Sequence, residues 1–385
     1  MPPSSNPKIH PLAQPKPRVM RYIQGMPKVE LHSHLGGSVD PELAFELLKS
    51  PAGIVTYDGN IFRKWEELDA FIRADVQNLP AYLYKYNATR RAFDSLDNID
   101  AIVDRAAARY ASENTMYWEM RTALKSLDSN SGVAAAPYTP EQEIEAYDKA
   151  IKNARKKYRM AINLILCIRR GPDESHLKMG RQTLGIAKEA MSDGVIVGLD
   201  LMGAENDNPA RTFAPIFREA KDYGLGVTIH AGEAIHEGSV EQAVQHCRAD
   251  RVGHATSIER HSDVYESLRD NGRTPVEVCM TSNVNTRAWI AGEEHRIARI
   301  EDHPVLRYIY DDLAVVICTD NPVVSNTSLT NEFEILHTTF GRGVGTIIGC
   351  TSRAIRATFA SQKTKRILRR RLDHFNDDFF ATEAT

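Results

Sequence analysis

Residues 195–230, VIVGLDLMGAENDNPARTFAPIFREAKDYGLGVTIH, decide the fold. The stretch opens on a short apolar run rich in β-branched residues, 195–200, and closes on a second, 226–230. Between them, 209–223 has the pattern of a helix. Strand, helix and strand in that order form a unit whose two strands run parallel. Each run also ends in a polar residue, Asp200 in the first and His230 in the second.

The same alternation extends in both directions. Runs at 29–34 (VELHSH), 116–121 (MYWEMR) and 162–168 (INLILCI) precede the unit; 251–254 (RVGH), 276–280 (VEVCM) and 314–320 (AVVICTD) follow it. Most are apolar throughout, as parallel strands covered on both faces require. Helix-like segments at 141–157, 177–193, 238–248, 259–271 and 301–311 lie between them. Eight strands alternating with helices predict an α/β protein, a (β/α)8 TIM barrel. An open doubly wound sheet would call for a glycine fingerprint after an early strand. The chain has neither GxGxxG nor GxxxxGK[ST], and its glycine cluster at 341–349 comes late with the wrong spacing.

The expected organisation is a flexible proline-rich tail at 1–20, one barrel domain at 21–375 and a C-terminal tail at 376–385. The stretch 40–115 is far longer than one helix needs and reads as several amphipathic helices inserted after the first strand. Such an insertion leaves from the face where barrels do chemistry, so it is expected as a helical lid, with a purely structural cap as the alternative.

The 385 residues are 42% hydrophobic and 26% charged, the composition of a globular protein with a large core. A net charge of −3 gives no footprint for nucleic acid or a membrane surface. No apolar run approaches the roughly 18 residues of a membrane helix. The five cysteines form no CxxC pair, which argues against a disulfide framework and fits a reducing cytoplasm. Cys167, Cys279 and Cys318 fall in strand-like runs and are predicted to be buried. The basic run KTKRILRRRLDH at 363–374 reads as a solvated helix in preference to a phosphate or RNA grip, because no aromatic residues interleave it.

In a barrel, reactive groups gather at the C-terminal ends of the strands. The first run ends in His32 and His34, which alternation places on one side. The fourth ends in Asp200 and leads to Gly203; the fifth ends in His230, with Glu233 just beyond. The sixth ends in His254, the seventh contains Glu277 and leads to TSN at 281–283, and the eighth ends in Asp320, followed by Asn321. Two histidines at strand spacing are by themselves ordinary polar positions. Four of the thirteen histidines at strand ends, joined by Glu233 and Asp320, are a signal. Imidazole with carboxylate suits Zn²⁺ or another borderline divalent ion, whereas Ca²⁺ calls for more carboxylates. Such a site with a position left for water points to hydrolysis.

Six motifs carry a resemblance: VELHSHLGGS (29–38), GLDLMGAE (198–205), VTIHAGE (227–233), RVGHATSI (251–258), CMTSN (279–283) and CTDNP (318–322). In their order and spacing, over roughly residues 21–360, the chain resembles the adenosine deaminase family of the amidohydrolase superfamily. The resemblance implies a zinc-dependent hydrolytic deaminase. It would convert a 6-aminopurine nucleoside or nucleotide to the 6-oxopurine, releasing ammonia, or an amine from an N6-substituted substrate. Carried over by position, His32, His34, His230 and Asp320 would bind one Zn²⁺ per subunit. Glu233 would protonate ring N1, His254 and Asp320 would hold the activated water at C6, and the backbone N–H of Gly203 would meet N3.

Asp200 and Glu277 either support the ligands or are ordinary buried carboxylates. Arg121 and Arg169 read as structural arginines paired with barrel carboxylates, in preference to substrate contacts. Trp65, Tyr82, Tyr84 and Tyr86 either line the pocket mouth or pack among helices.

Three positions depart from the family. Gly36 stands where the family has aspartate or asparagine, in HLDGS or HLNGS. In adenosine deaminases that aspartate meets the ribose 5′-hydroxyl. Glycine removes the acceptor and the charge, so a 5′-substituted substrate, a nucleotide included, gains room. Asn321 replaces the second aspartate of TDDP, which faces purine N7; an amide donates to N7 at any pH. Ala255 replaces a glycine, with no function attached. Other readings keep the barrel and metal for another amino-heterocycle such as a pterin, or make the chain a non-catalytic nucleoside-binding relative. Against the latter, binding alone requires no proton donor beside a metal.

Overall fold

Eight strands form the centre of the molecule: β1 (Lys28–His34), β2 (Thr115–Thr122), β3 (Ala161–Arg169), β4 (Ile196–Met202), β5 (Gly226–Ala231), β6 (Arg251–His254), β7 (Val276–Val278) and β8 (Val315–Ile317). The computed structural model describes residues 17–127 and 136–382, apart from 52, 57–58, 192–193, 207, 236–237, 273 and 291–295. Each strand pairs in parallel with the next in chain order. The ring closes between β8 and β1 at one bridge, Ser33 with Asp320. There His34 N–H donates to Asp320 O at 2.8 Å and Asp320 N–H to His32 O at 2.7 Å. Beside it the Glu30 carboxylate accepts from Thr319 N–H at 3.1 Å and Thr319 Oγ1 at 2.8 Å. This is the (β/α)8 barrel that the alternation predicts.

The helices start and stop on local signals. Pro140–Tyr158 opens with a capping box between Thr139 and Gln142, has proline in its first turn, and is acidic at its start and basic at its end. Ala214–Tyr223 stops at Gly224, whose φ of 98° suits a residue without Cβ. Several predicted helices are shorter than their patterns, two of them markedly. In 301–311 only Val305–Tyr310 is α-helical, because Pro304 holds His303 extended (ψ 133°). In 238–248 one turn, Ser239–Glu241, passes into a π-helical turn, Gln242–His246.

The insertion between β1 and β2 holds helices Pro41–Leu48, Trp65–Arg73, Leu79–Tyr84 and Asp97–Ser112, with a two-stranded hairpin, Ile54–Val55 and Ile61–Phe62, that periodicity did not suggest. Of the predicted N-terminal tail, 1–16 lie outside the described residues, and 17–20 open a helix, Pro17–Gly25, that buries Val19, Tyr22 and Ile23. The final helix, Gln362–Thr382, runs on through 376–382, where a tail was expected. Its continuation packs: the rings of Phe375 and Phe379 meet Tyr22 edge-on, at 5.4 and 5.1 Å. In the same helix Leu368 and Leu372 are buried, while Arg366, Arg369, Arg370 and Arg371 are exposed. All five cysteines are free and buried. Among the described residues no helix is long and apolar enough to cross a membrane.

The inside of the barrel is ionic. Arg121 on β2 contacts Glu277 on β7 at 2.7 Å and Asp200 on β4 at 3.3 Å. Arg251 on β6 contacts Glu277 at 2.6 Å and Glu119 on β2 at 2.7 Å. Contacts that link β2, β4, β6 and β7 can only cross the barrel interior. Towards the strands' N-terminal ends, Phe359 plugs the floor. Its ring occupies the space that a Cβ on Gly198 or Gly226 would need, and the Arg251 guanidinium stacks on it at 3.7 Å. Replacing Arg251 by leucine strands Glu119 and Glu277 without that cation. The expected cost is about 3–5 kcal/mol, read as a fall in the urea midpoint; a loss below about 1 kcal/mol would show that the network is not as dry as its burial implies.

Candidate active site

β1 and β5 present His32, His34 and His230 at the C-terminal end of the barrel, and the closing bridge sets Asp320 beside them. His32 Nδ1 lies 2.8 Å from Glu277 Oε2, and His230 Nδ1 lies 3.0 Å from Asp200 Oδ1. Burial opposes charge on both carboxylates. At Glu277, Arg121 and Arg251 outweigh it; at Asp200, His230 and Arg121 do; both pKa values fall well below the usual range. An ionised carboxylate only accepts, so each imidazole gives it the Nδ1 proton and turns the Nε2 lone pair inward.

Those lone pairs converge. His230 Nε2 is 3.1 Å from His32 Nε2 and 3.1 Å from His34 Nε2, and Asp320 Oδ1 is 3.5 and 3.4 Å from the same two nitrogens. Four donors about 2.0–2.2 Å from a tetrahedral ion are roughly 3.3–3.5 Å apart. Lone pairs this close repel unless a cation stands between them. Burial pushes the His34 pKa down to about 3 and lowers that of His32. At His230 burial also disfavours charge, but Asp200 outweighs it and raises the pKa, so proton and metal compete for that ring.

Charge tells the same story. The buried shell holds the carboxylates of Glu119, Asp200, Glu277 and Asp320 against the guanidiniums of Arg121 and Arg251. Among these six groups the carboxylates outnumber the guanidiniums by two, and a negative cluster of this kind suits a cation. Burial raises the pKa of Glu30 to about 8 and also raises that of Glu233. One atom each of His32, His230, His254 and Asp320 also lies within 4.8 Å of the others. The shorter separations made by His34 favour it over His254 as the fourth donor. No geometry selects zinc among the borderline ions.

His254 Nε2 faces Glu233 Oε2 at 3.7 Å. The backbone is strained here: His254, Ala255 and Asp320 have φ of 63°, 51° and 61°, a region costing a non-glycine residue about 1 kcal/mol or more. Ala255 therefore occupies a conformation that a glycine would adopt freely. Three residues without a role in the sequence reading hold this machinery. Glu205 accepts from the N–H groups of Gly232, Glu233 and Ala234 at 2.9, 2.8 and 3.0 Å and so fixes the loop bearing Glu233. Ser282 Oγ donates to Asp320 Oδ2 at 2.5 Å. Asn283 Nδ2 donates to His254 Nδ1 at 3.0 Å. The motifs LMGAE and TSN contain these residues, but nothing local names their partners.

A cavity of about 390 Å³ opens above the cluster. His34, His230, Glu233, His254, Asp320, Asn321, Gly36 and Gly203 line it; His32 lies behind them, fully buried. Tyr82 and Tyr86 from the insertion form part of the wall, whereas Trp65 and Tyr84 are exposed and do not. Arg121 pairs with Asp200 and Glu277, as expected, and also lines the cavity; Arg169, expected to be structural too, lines it as well, with Arg90, Lys125 and Arg170. Among the described residues the only lining carboxylates are Glu233 and Asp320, both beside the histidines. A Cβ on Gly37 would fall 2.0 Å from Asn321 Oδ1, so that glycine is what lets the amide in; one on Gly36 would meet only the Tyr86 ring, at 3.6 Å.

The adenosine deaminase family model matches residues 27–375. An adenosine deaminase of Clostridium perfringens is 30% identical over 348 residues, 90% of this chain and 98% of the relative. The crystal structure of an Arabidopsis N6-mAMP deaminase superposes with a TM-score of 0.76 at 25% identity, covering 92% of this chain and 99% of that one. An amidohydrolase of Burkholderia ambifaria with bound Zn shares the fold, with a TM-score of 0.79 at 21% identity, covering 97% and 98%.

The purified protein should contain one divalent ion per chain by plasma emission and should lose it to chelators more readily as the pH falls, because protons compete for the His230 ring. Asp200→Asn should weaken metal affinity about 10- to 100-fold in chelator competition; unchanged affinity would mean that Asp200 does not support a ligand.

Proposed function

The chain belongs to the adenosine deaminase family and is a hydrolytic deaminase; from that premise we propose that it holds one zinc ion and acts on a 6-aminopurine nucleoside or nucleotide. The observation that carries the reading is Glu233, a buried carboxyl whose pKa is raised by burial, 3.7 Å from His254 and beside the converging donors. His32, His34, His230 and Asp320 would hold the zinc, as the spacing of their donor atoms supports. When bound, such an ion lowers the pKa of a water ligand to about 7 and so supplies the nucleophile.

The chain's own residues do the rest. Glu233 gives its proton to ring N1, which draws electrons from C6 and opens it to attack. His254 and Asp320 orient the water oxygen towards C6. The C6–N bond then breaks, the amine leaves with one proton from the attacking water, the other water proton returns to Glu233, and a 6-oxopurine protonated on N1 remains. Gly203 offers its N–H to N3, and the Asn321 amide reads N7.

Two features favour a 5′-phosphorylated substrate. Gly36 leaves the position of the family's carboxylate empty of charge, and Arg90, Lys125 and Arg169 are among the residues that line the cavity. A family relative named for N6-mAMP points the same way. AMP and its N6-methyl form are therefore the expected best substrates.

Ammonia or amine release from adenosine, AMP and N6-methyl-AMP, followed by ultraviolet absorbance, tests this. A strong preference for adenosine would exclude the nucleotide. Lys125→Met should lower kcat/KM for AMP about tenfold or more, the worth of one charged hydrogen bond, with little change for adenosine. Glu233→Gln should keep zinc and fold yet lose about 10²- to 10⁴-fold in kcat; full activity would remove Glu233 from the mechanism.

A further inference from the structure

His303 belongs to none of the motifs, and the chemistry above does not use it. It is buried at 3% exposure, behind Asn283 at 0% and His254 at 1%. The three side chains form a chain of hydrogen bonds whose direction can be worked out from one end.

That end is the backbone N–H of Val305, which can only donate. It points at His303 Nδ1, 3.0 Å away. His303 Nδ1 is therefore a lone pair. Burial, with His254 and Arg307 nearby, pushes the His303 pKa down to about 3, so the ring is neutral and its single proton sits on Nε2. Nε2 lies 3.2 Å from Asn283 Oδ1, the acceptor end of the amide. The other end, Nδ2, must then face His254 Nδ1, as it does at 3.0 Å. A turned amide would set its N–H₂ against the N–H of His303, two donors head to head, and leave both unsatisfied in a dry interior. An amide nitrogen only donates, so His254 Nδ1 is also a lone pair.

We infer that His303, acting through Asn283, fixes His254 as the tautomer that carries its proton on Nε2, the nitrogen facing the cavity. His303 is a positioning residue: it touches neither the cavity nor the histidine cluster. Pro304 holds it extended, and the N–H of Val305 at the start of the helix sets its tautomer. The consequence is chemical. With Nε2–H pointing inward, His254 offers a donor that grips an oxygen lone pair and cannot accept a proton at the same atom. The consequence for turnover rests on the deaminase reading; the tautomer does not.

The test uses the full-length, metal-loaded protein labelled with ¹⁵N-histidine. Long-range ¹H–¹⁵N correlation distinguishes the two neutral tautomers, and the His254 signals are those lost in His254→Gln. The wild-type protein should show His254 protonated on Nε2. Asn283→Asp replaces the donor with an acceptor and should move the proton to Nδ1, with kcat falling about 10²- to 10³-fold while KM and metal content stay near wild type. His303→Leu should give the same shift by freeing the amide to turn. His303→Gln, which puts an N–H₂ where Nε2–H stood, should restore most of the rate lost in His303→Leu. The leucine and glutamine variants carry the comparison if Asn283→Asp does not fold. Wild-type His254 protonated on Nδ1, or a tautomer indifferent to Asn283 and His303, overturns the inference even in an active enzyme. A shifted tautomer with undiminished kcat overturns its catalytic consequence. An inactive wild-type protein with the Nε2 tautomer sinks the substrate reading and leaves the relay standing.

Discussion

The barrel closes where its chemistry lies. β8 meets β1 at one bridge, and both backbone bonds across it belong to His32, His34 and Asp320. These side chains are brought together by the last hydrogen bonds of the sheet, so their spacing is set by main-chain geometry before any rotamer is chosen. The Glu30–Thr319 bonds beside them add a second stitch where the ladder is short. A site built on strands in this way is held more tightly than one built on loops. The strands force these repelling groups together, and a bound cation would relieve the repulsion.

The ionic interior extends this logic downward. Arg121 spans Asp200 and Glu277, and Arg251 spans Glu277 and Glu119. Burying such groups carries a desolvation cost that a hydrocarbon core would avoid. The return lies in the histidines. Asp200 and Glu277 stay ionised because guanidiniums face them, and ionised they fix the tautomers of His230 and His32. His254 is handled by other means: its Nδ1 meets an amide, which keeps another charge out of a shell already rich in them. His32 and His230 face carboxylates, which raise basicity; the histidine beside Glu233 faces a neutral amide.

Strand ends were legible in the sequence because a parallel barrel imposes a pattern on it: apolar runs at regular intervals, each stopping at the residue that faces the active end. His32, His34, His230, His254 and Asp320 could be picked out for that reason alone. Their supports could not. Glu205 reaches a loop 28 residues on, and Asn283 bridges His254 and His303 from a third segment. Periodicity carries no information about such pairings. The terminal segments were misjudged for the same cause: Tyr22 and Phe375 are apolar residues in short polar contexts, and only their meeting makes each end a packed helix. The strands' apolar character also hid their inward charges, since one arginine or glutamate per strand barely alters a hydrophobic run.

The positions that break local rules are the ones that matter most. His254, Ala255 and Asp320 hold a left-handed backbone that none of their side chains favours. Such strain persists only where surrounding structure imposes it. At Asp320 the imposing structure is the closing bridge; at His254 and Ala255 it includes the N–H of Ala255 bonded back to Ala231 O at 2.9 Å. The two glycines after the first histidines follow opposite rules. Gly37 is needed for contact, since any Cβ would collide with the amide of Asn321. Gly36 is under no such constraint, because a Cβ there would meet only a tyrosine ring at ordinary distance. Packing explains the second glycine and leaves the first unexplained, so the reason for Gly36 has to be sought in what enters the cavity beside it.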